Sequence, residues 1–194
     1  RRIRRGCCKA DSRNLASGAV GQIVMKNEPV LDTEELIESI ARQTNVLLDG
    51  LSSSKTCFVG IHTGGVWLAQ RICKDLRLSS VIGELNIAFY RDDFSKLGVH
   101  PTVEPSQIPF DINDKHVILV DDILHTGRTI RAAMNELFDY GRPLSISLVV
   151  LVDRNGRELP IAPDICGASI SLKEEEHVKL RGPNPLRLEM SKNS

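Results

Sequence analysis

Apolar positions along this chain switch between two rhythms, and the switching sets the fold class. Asp32-Thr33-Glu34-Glu35 reads as a capping box, after which Leu36, Ile37, Ile40, Ala41 and Leu47 recur with helical spacing until Gly50 and the Ser52-Ser53-Ser54 run. Thr56 to Ile61 is a short continuous apolar run, expected of a strand buried on both faces, and it ends at His62-Thr63-Gly64-Gly65. A helix is predicted from Val66 to about Leu76, with Trp67, Leu68, Ile72 and Leu76 inward, followed by a strand over Val81 to Tyr90. Residues 91 to 111 keep no period and hold Gly98, Pro101, Pro105 and Pro109, so a long functional loop is expected there. Val117 to Val120 is a second buried strand, and Ile130, Ala133, Met134, Leu137 and Phe138 mark the helix after it, closed by Tyr140-Gly141-Arg142-Pro143. Leu144 to Val152 is a further strand, with weaker β segments near Ile165 to Ile170 and His177 to Leu180. Strands alternating with helices of this length predict an α/β fold with a mainly parallel central sheet flanked by helices on both faces. Ligands of such sheets bind beyond the carboxyl ends of the strands, where loops 62–65, 91–111 and 121–129 fall.

Candidate chemistry concentrates in the last of these. Asp121 and Asp122 stand at the end of the Val117 to Val120 run, and His125-Thr126-Gly127-Arg128-Thr129 leads into the helix. The first amides of a helix lack internal partners and the dipole favours negative charge there, so the turn is an anion site. Thr126 and Thr129 can add hydroxyl donors, and Gly127 permits close backbone approach. Two carboxylates beside a phosphate cradle suit a ligand that also carries hydroxyls, as a ribose 5-phosphate does. An ordinary βα turn with two exposed aspartates accounts for the acidic pair but not for the whole run. His62, Thr63, Gly64 and Gly65 repeat the logic after the first strand and form a second anion site; alone, the turn is equally well a plain tight turn. Arg91, opening the long loop, is placed to reach a pyrophosphate as a lid closes, since its fork matches phosphate oxygens.

Charge and cysteine usage change the picture at the margins. The formal net charge is zero, yet six of the 25 basic and one of the 25 acidic residues lie in residues 1 to 24, leaving 19 and 24 in the remainder, a net of −5. That first stretch lacks apolar periodicity and is expected to be a disordered or non-native extension, with Met25 as the native start and residues 25–194 as a single domain. A basic nucleic-acid arm and an organellar targeting peptide are the alternatives weighed for it. Cys7, Cys8, Cys57, Cys73 and Cys166 are odd in number and scattered, with no Cys-x-x-Cys pair, so a zinc site is not expected and a reduced, cytoplasmic setting is. No apolar run approaches the roughly 20 residues that a spanning helix needs, so no membrane association is expected.

The run from Val117 to Thr129 resembles the phosphoribosyl pyrophosphate loop of type I phosphoribosyltransferases. Val59 to Gly65, Gly83-Glu84-Leu85, Tyr90-Arg91-Asp92-Asp93, Tyr140-Gly141-Arg142-Pro143, Leu151-Val152-Asp153-Arg154 and Glu158-Leu159-Pro160 narrow the resemblance to the pyrimidine-operon regulator / uracil phosphoribosyltransferase family. The resemblance implies a type I phosphoribosyltransferase fold with a small hood and a flexible lid loop. It implies conversion of uracil and phosphoribosyl pyrophosphate to UMP and pyrophosphate with Mg²⁺, a nucleotide-salvage reaction, in a homo-oligomer. Asp121 and Asp122 would hold the ribose diol, and the metal indirectly through substrate or water. Ile123, Leu124, His125, Thr126, Gly127, Arg128 and Thr129 would wrap the phosphate, and Arg142 and backbone near Val178 would line the uracil side. Two positions depart from the family's pattern: His125 stands where many members have Tyr, and Gly64 where Gram-positive regulators have Arg, which places the chain nearer the Gram-negative branch. His125 is expected to be a solvent-facing loop residue. The alternative function is a UMP- or UTP-sensing, RNA-binding regulator of pyrimidine genes with little catalysis; a body near −5 disfavours RNA, because phosphate neutralisation needs a dense basic face.

Overall fold

The computed structural model of the chain describes residues 31–87 and 105–192. The expected extension over 1–24, Met25, Arg91 and residues 91–104 of the expected lid lie outside the described residues. Within them run α1 (Thr33–Asp49), β1 (Thr56–Ile61), α2 (Gly64–Asp75), β2 (Ile82–Leu85), β3 (His116–Leu124), α3 (Arg128–Tyr140), β4 (Ser145–Arg154), β5 (Ile165–Ile170), β6 (Glu176–Arg181) and β7 (Arg187–Lys192).

β1 to β5 form one sheet in the order β2-β1-β3-β4-β5, and all four pairings are parallel. The central strands are buried on both faces, as their unbroken apolar runs require. Period-2 alternation divides their side chains between two cores. Phe58, Ile118, Val120, Val149 and Leu151 pack with Ile37 and Ile40 of α1 and Leu68 and Ile72 of α2. Val59, Ile61, Val117, Leu119 and Val150 pack with Ile130, Ala133 and Leu137 of α3. The helices therefore cover both faces, as the sequence pattern predicts. α1 begins at Asp32, whose carboxylate accepts from the amides of Glu34 and Glu35 at 3.0 and 3.3 Å. Cys57 and Cys73 are buried free thiols, and desolvation pushes both up to about 11, as befits small core residues. Among the described residues no helix is long and apolar enough to cross a membrane.

Four elements differ from expectation, each for an identifiable reason. β3 does not stop at Val120. It continues to Leu124, because Asp121, Ile123 and Leu124 keep register with Val150, Val152 and Asp153 of the long β4. β2 ends at Leu85, although Ile87 just beyond it is 1% exposed. The far end of the expected lid is anchored: Gln107 exchanges both backbone hydrogen bonds with Glu84 at 2.7 and 2.8 Å, and Ile108 and Phe110 pack on the α3-side core. β7, with only the short Leu188 and Met190 alternation, was not expected as a strand and pairs antiparallel with β6, Val178 facing Met190. The hood, expected near 164–180, is this hairpin and lies later in the chain, because Ile165–Ile170 joins the central sheet as β5. Leu180 and Leu186 are buried in the α2-side core, and the Leu188 amide donates to Thr33 Oγ1 at 2.9 Å.

Leu119 is fully buried on the central strand. Leu119→Ala is expected to lower unfolding free energy by roughly 2–5 kcal/mol, as a cavity-creating core truncation does, measured by urea denaturation against the unsubstituted chain.

Candidate ligand-binding site

The pairing of β1 with β3, Gly60 opposite Val120, brings two strand ends side by side. The 62–65 turn and the 121–127 segment are thus neighbours at one sheet edge. How closely they meet is set by two glycines. A Cβ on Gly65 would stand 2.3 Å from the Val120 carbonyl oxygen, and one on Gly64 would stand 2.4 Å from Asp122 Oδ2. The missing side chains let the first turn of α2 sit directly against β3, with the Asp122 side chain on Gly64. Asp122 is 9% exposed and Asp121 1%. Asp122 therefore faces the first turn of α2, and strict alternation does not run on through the strand end, since Ile123 packs on the same α2 side and Leu124 on the α3 side. Asp121 Oδ1 accepts the Asp122 amide at 3.0 Å. Asp122 is the acid whose side chain lies against the 62–65 turn. His62 Nε2 lies 2.7 Å from Glu84 Oε2 on β2, which ties the turn laterally to the edge strand.

Only 125–127 separate β3 from α3. Gly127 is the N-cap of α3 with φ 91°, a left-handed conformation natural to glycine. Thr126 is buried, and its hydroxyl oxygen accepts the Arg128 amide at 3.2 Å; Thr129 is half-buried in the first turn. Neither α2 nor α3 carries a side-chain N-cap hydrogen bond, whereas α1 does. Two amino-terminal helix dipoles thus point at one edge without a side-chain hydrogen-bonded cap.

Sequence-expected residues distribute unevenly around this core. His62, Thr63, Gly64, Gly65, Asp122, Thr126, Gly127 and Thr129 gather at the edge. Ile123 and Leu124 do not present side chains to it: Ile123 packs on the α2-side core and Leu124 on the α3-side core, leaving only their backbone. Arg128 pairs with Glu158 Oε2 through Nε at 2.7 Å and Nη2 at 2.6 Å. His125 is half-buried rather than solvent-facing, its ring lying over Gly156, where a Cβ would stand 2.7 Å from Nε2.

Arg142 is misplaced by the sequence reading. It follows α3 at the amino edge of the sheet, where its amide donates to Asn113 Oδ1 at 2.8 Å and its guanidinium donates to the Phe138 and Gly141 carbonyls. α3 spans the 13 residues between it and the β3–α3 turn, roughly 20 Å of helix. Val178 lies in the hood, half-buried on the α2-side core, and β6 touches β3. Arg91 lies outside the described residues. Glu84 and Arg154 were given no role in the sequence. Arg154 ends β4 at the ligand edge, and its buried Nε has no hydrogen-bond partner; burial lowers its pKa from the ordinary arginine value. The Asp153-Arg154 pair closing an apolar strand at that edge was the available signal.

A central parallel sheet with helices on both faces, a hairpin hood and two glycine turns at one strand edge is a type I phosphoribosyltransferase architecture. Residues 27–180 match the family described as "Phosphoribosyl transferase domain". The chain is 51% identical over 163 residues to "Bifunctional protein PyrR" of Nitrosococcus oceani, covering 82% of this chain and 92% of that protein. It is 52% identical over 155 residues to the protein of the same name from Pseudomonas aeruginosa strain PAO1, covering 80% and 91%. Among solved structures, a hypoxanthine phosphoribosyltransferase from Staphylococcus aureus aligns with a TM-score of 0.57 at 21% identity, over 76% of this chain and 80% of that one. A hypoxanthine-guanine-xanthine phosphoribosyltransferase aligns at 0.55 and 20%, over 74% and 79%. At such identities the structures speak for the fold. The chain belongs to the phosphoribosyltransferase family, in its pyrimidine-operon regulator / uracil phosphoribosyltransferase branch.

Gly64→Ala tests the close approach. Alanine is the better helix former, yet its Cβ would meet the Asp122 carboxyl group. The variant is expected to lose roughly 1–3 kcal/mol of stability through overpacking and to show Asp122 displaced in a crystal structure.

Proposed function

We propose that the chain transfers ribose 5-phosphate from phosphoribosyl pyrophosphate to uracil, giving UMP and pyrophosphate. One observation carries this: the amino termini of α2 and α3 meet at adjacent strand ends, with Asp122 set between them against Gly64. A sugar bearing phosphate groups at both ends and a diol between matches that order of amides, carboxylate and amides. The uracil assignment leans on the relatives named "Bifunctional protein PyrR".

In this mechanism the 62–65 amides hold the pyrophosphate, and the 125–129 amides with the Thr126 and Thr129 hydroxyls hold the 5′-phosphate. Arg91 adds a cation to the pyrophosphate on the strength of its sequence position. Asp122 binds the diol, and Asp121, which accepts the Asp122 amide, fixes the strand end that presents it. As the bond from C1 to pyrophosphate lengthens, positive charge grows on the ribosyl centre and the carboxylates stabilise it, an interaction stronger in the transition state than before it. No protein nucleophile is required, and no residue is assigned as a base for uracil N1. Mg²⁺ fits as an ion carried by the substrate: among the described residues no group of three or more His, Cys, Asp or Glu side chains forms a cage, while two carboxylates stand at the β3 end. When bound it would neutralise the departing pyrophosphate. Backbone of β6 near Val178 is assigned to the uracil side.

A second reading rests on the word "Bifunctional" in those names: UMP- or UTP-dependent RNA binding that regulates pyrimidine genes. The two readings share one pocket, so the assay must separate them. Incubation of phosphoribosyl pyrophosphate and Mg²⁺ with uracil, hypoxanthine, xanthine or orotate is expected to give product with uracil. No UMP, together with tight UMP-dependent RNA binding, would replace the enzyme by the regulator. Asp122→Asn is expected to cut kcat/KM by roughly 10²-fold or more, the scale of losing one preorganised electrostatic group. Its Tm should stay nearly unchanged; a matching loss of folding would make the residue structural.

A further inference from the structure

Between β4 and β5 the chain makes an irregular excursion that the proposed mechanism leaves unused, and most of its polar groups are spent on one object. The amides of Glu158 and Leu159 both donate to the Thr126 carbonyl, at 3.0 and 3.1 Å. The Arg157 guanidinium donates to the His125 carbonyl and, through its other terminal nitrogen, to the Asp153 carboxylate. Glu158 takes the Arg128 side chain. Leu159 and Ile161 lie under Gly127. On its other flank Asn155 exchanges side-chain hydrogen bonds with both backbone groups of Leu172, at 2.8 and 3.1 Å, and so holds the excursion to the start of the hood.

The carbonyls are the informative partners. A trans peptide is planar, so its C=O and the following N–H point in opposite directions. The His125–Thr126 and Thr126–Gly127 peptides are not among the cis bonds of the described residues. Holding the His125 carbonyl outward therefore turns the Thr126 N–H the other way, and holding the Thr126 carbonyl outward does the same for Gly127. A cation on a carbonyl oxygen also polarises the peptide and strengthens its N–H as a donor.

Resting on the proposed sugar-phosphate site, we propose that Arg157 is a positioning residue that, through the His125 carbonyl, aims the Thr126 amide at the 5′-phosphate. Arginine is suited to this because its rigid fork reaches two acceptors on different segments at once, which a lysine point charge does not. Arg157 itself touches no ligand.

The test is calorimetric titration of the full chain and its Arg157→Ala and Arg157→Lys variants with phosphoribosyl pyrophosphate plus Mg²⁺, and separately with pyrophosphate plus Mg²⁺. Arg157→Ala is expected to weaken phosphoribosyl pyrophosphate roughly 10- to 100-fold, the usual cost of removing a group that orients a binding group. Pyrophosphate, which uses the β1–α2 turn, should change less than about twofold by the same logic. Arg157→Lys should fall between, and it carries the test should the alanine variant not fold. Equal losses for both ligands with a lowered Tm would make Arg157 merely structural and overturn the inference. Tight binding by the unsubstituted chain with no change in either variant would overturn it alone. An unsubstituted chain with no affinity for phosphoribosyl pyrophosphate would remove the proposed function and this inference together.

Discussion

The contact on which the site depends is the seating of the first turn of α2 directly on β3. Helices crossing over a sheet normally stand off it by the length of their side chains. Here Gly64 and Gly65 abolish that distance, and the Val120 carbonyl and Asp122 side chain occupy the space that two Cβ atoms would take. Three consequences follow from one approach. The amide end of α2 arrives at the same level as the amide end of α3, so two dipoles converge on one patch of solvent. Asp122, though nearly buried, lies at the positive end of a helix, where a carboxylate is electrostatically favoured. And the acid cannot swing toward α2, because the helix backbone closes that side. The geometry is thus fixed by sterics at a position where hydrogen bonding alone would leave it loose.

This explains why a strand, not a loop, carries the acidic pair. From the residues alone Asp121-Asp122 looks like the end of a strand, since adjacent carboxylates are poor sheet formers. The pairing partner decides otherwise. β4 runs on to Arg154 and offers backbone partners as far as Leu124, and sheet register outweighs local preference when a neighbouring strand is already ordered. Extension into the sheet fixes the backbone that carries both acids, and it sets the Asp122 side chain against Gly64.

Legibility followed the strength of local signals. β1 lies where its apolar run placed it, Thr56–Ile61, because a strand buried on both faces writes itself as a continuous apolar stretch; the weaker β5 segment, Ile165–Ile170, also falls as expected. The glycine turns were legible because their residues have few other uses. β7 was not: Arg187 to Lys192 is mostly exposed and forms only because β6 offers an edge. Arg142 shows a different limit. Its type suits a phosphate ligand, but the direction of α3 carries it to the far edge, where it serves the helix carboxyl terminus, as cations do. Glu84 and Arg157 were opaque for a related reason: their partners, His62 and the His125 carbonyl, are 22 and 32 residues distant, and only the sheet order makes them neighbours.

The two turns proposed as anion cradles are held by different physics. The β1–α2 turn is clamped by backbone contact against β3 and by the His62–Glu84 pair, leaving it little freedom to adjust. The β3–α3 turn is a short bridge whose carbonyls are held from outside by Arg157 and the 158–159 amides. A turn of three residues cannot specify its own peptide orientations, since each plane can flip with small changes at its neighbours. External anchoring of two successive carbonyls removes that freedom before any ligand arrives, so the ordering cost is met during folding rather than at binding. Because Asn155 fastens the same excursion to Leu172, the orientation of the Thr126 and Gly127 amides and the start of the hood are parts of one hydrogen-bonded unit. A ligand spanning phosphate and base would therefore meet a frame whose two halves are already set relative to each other.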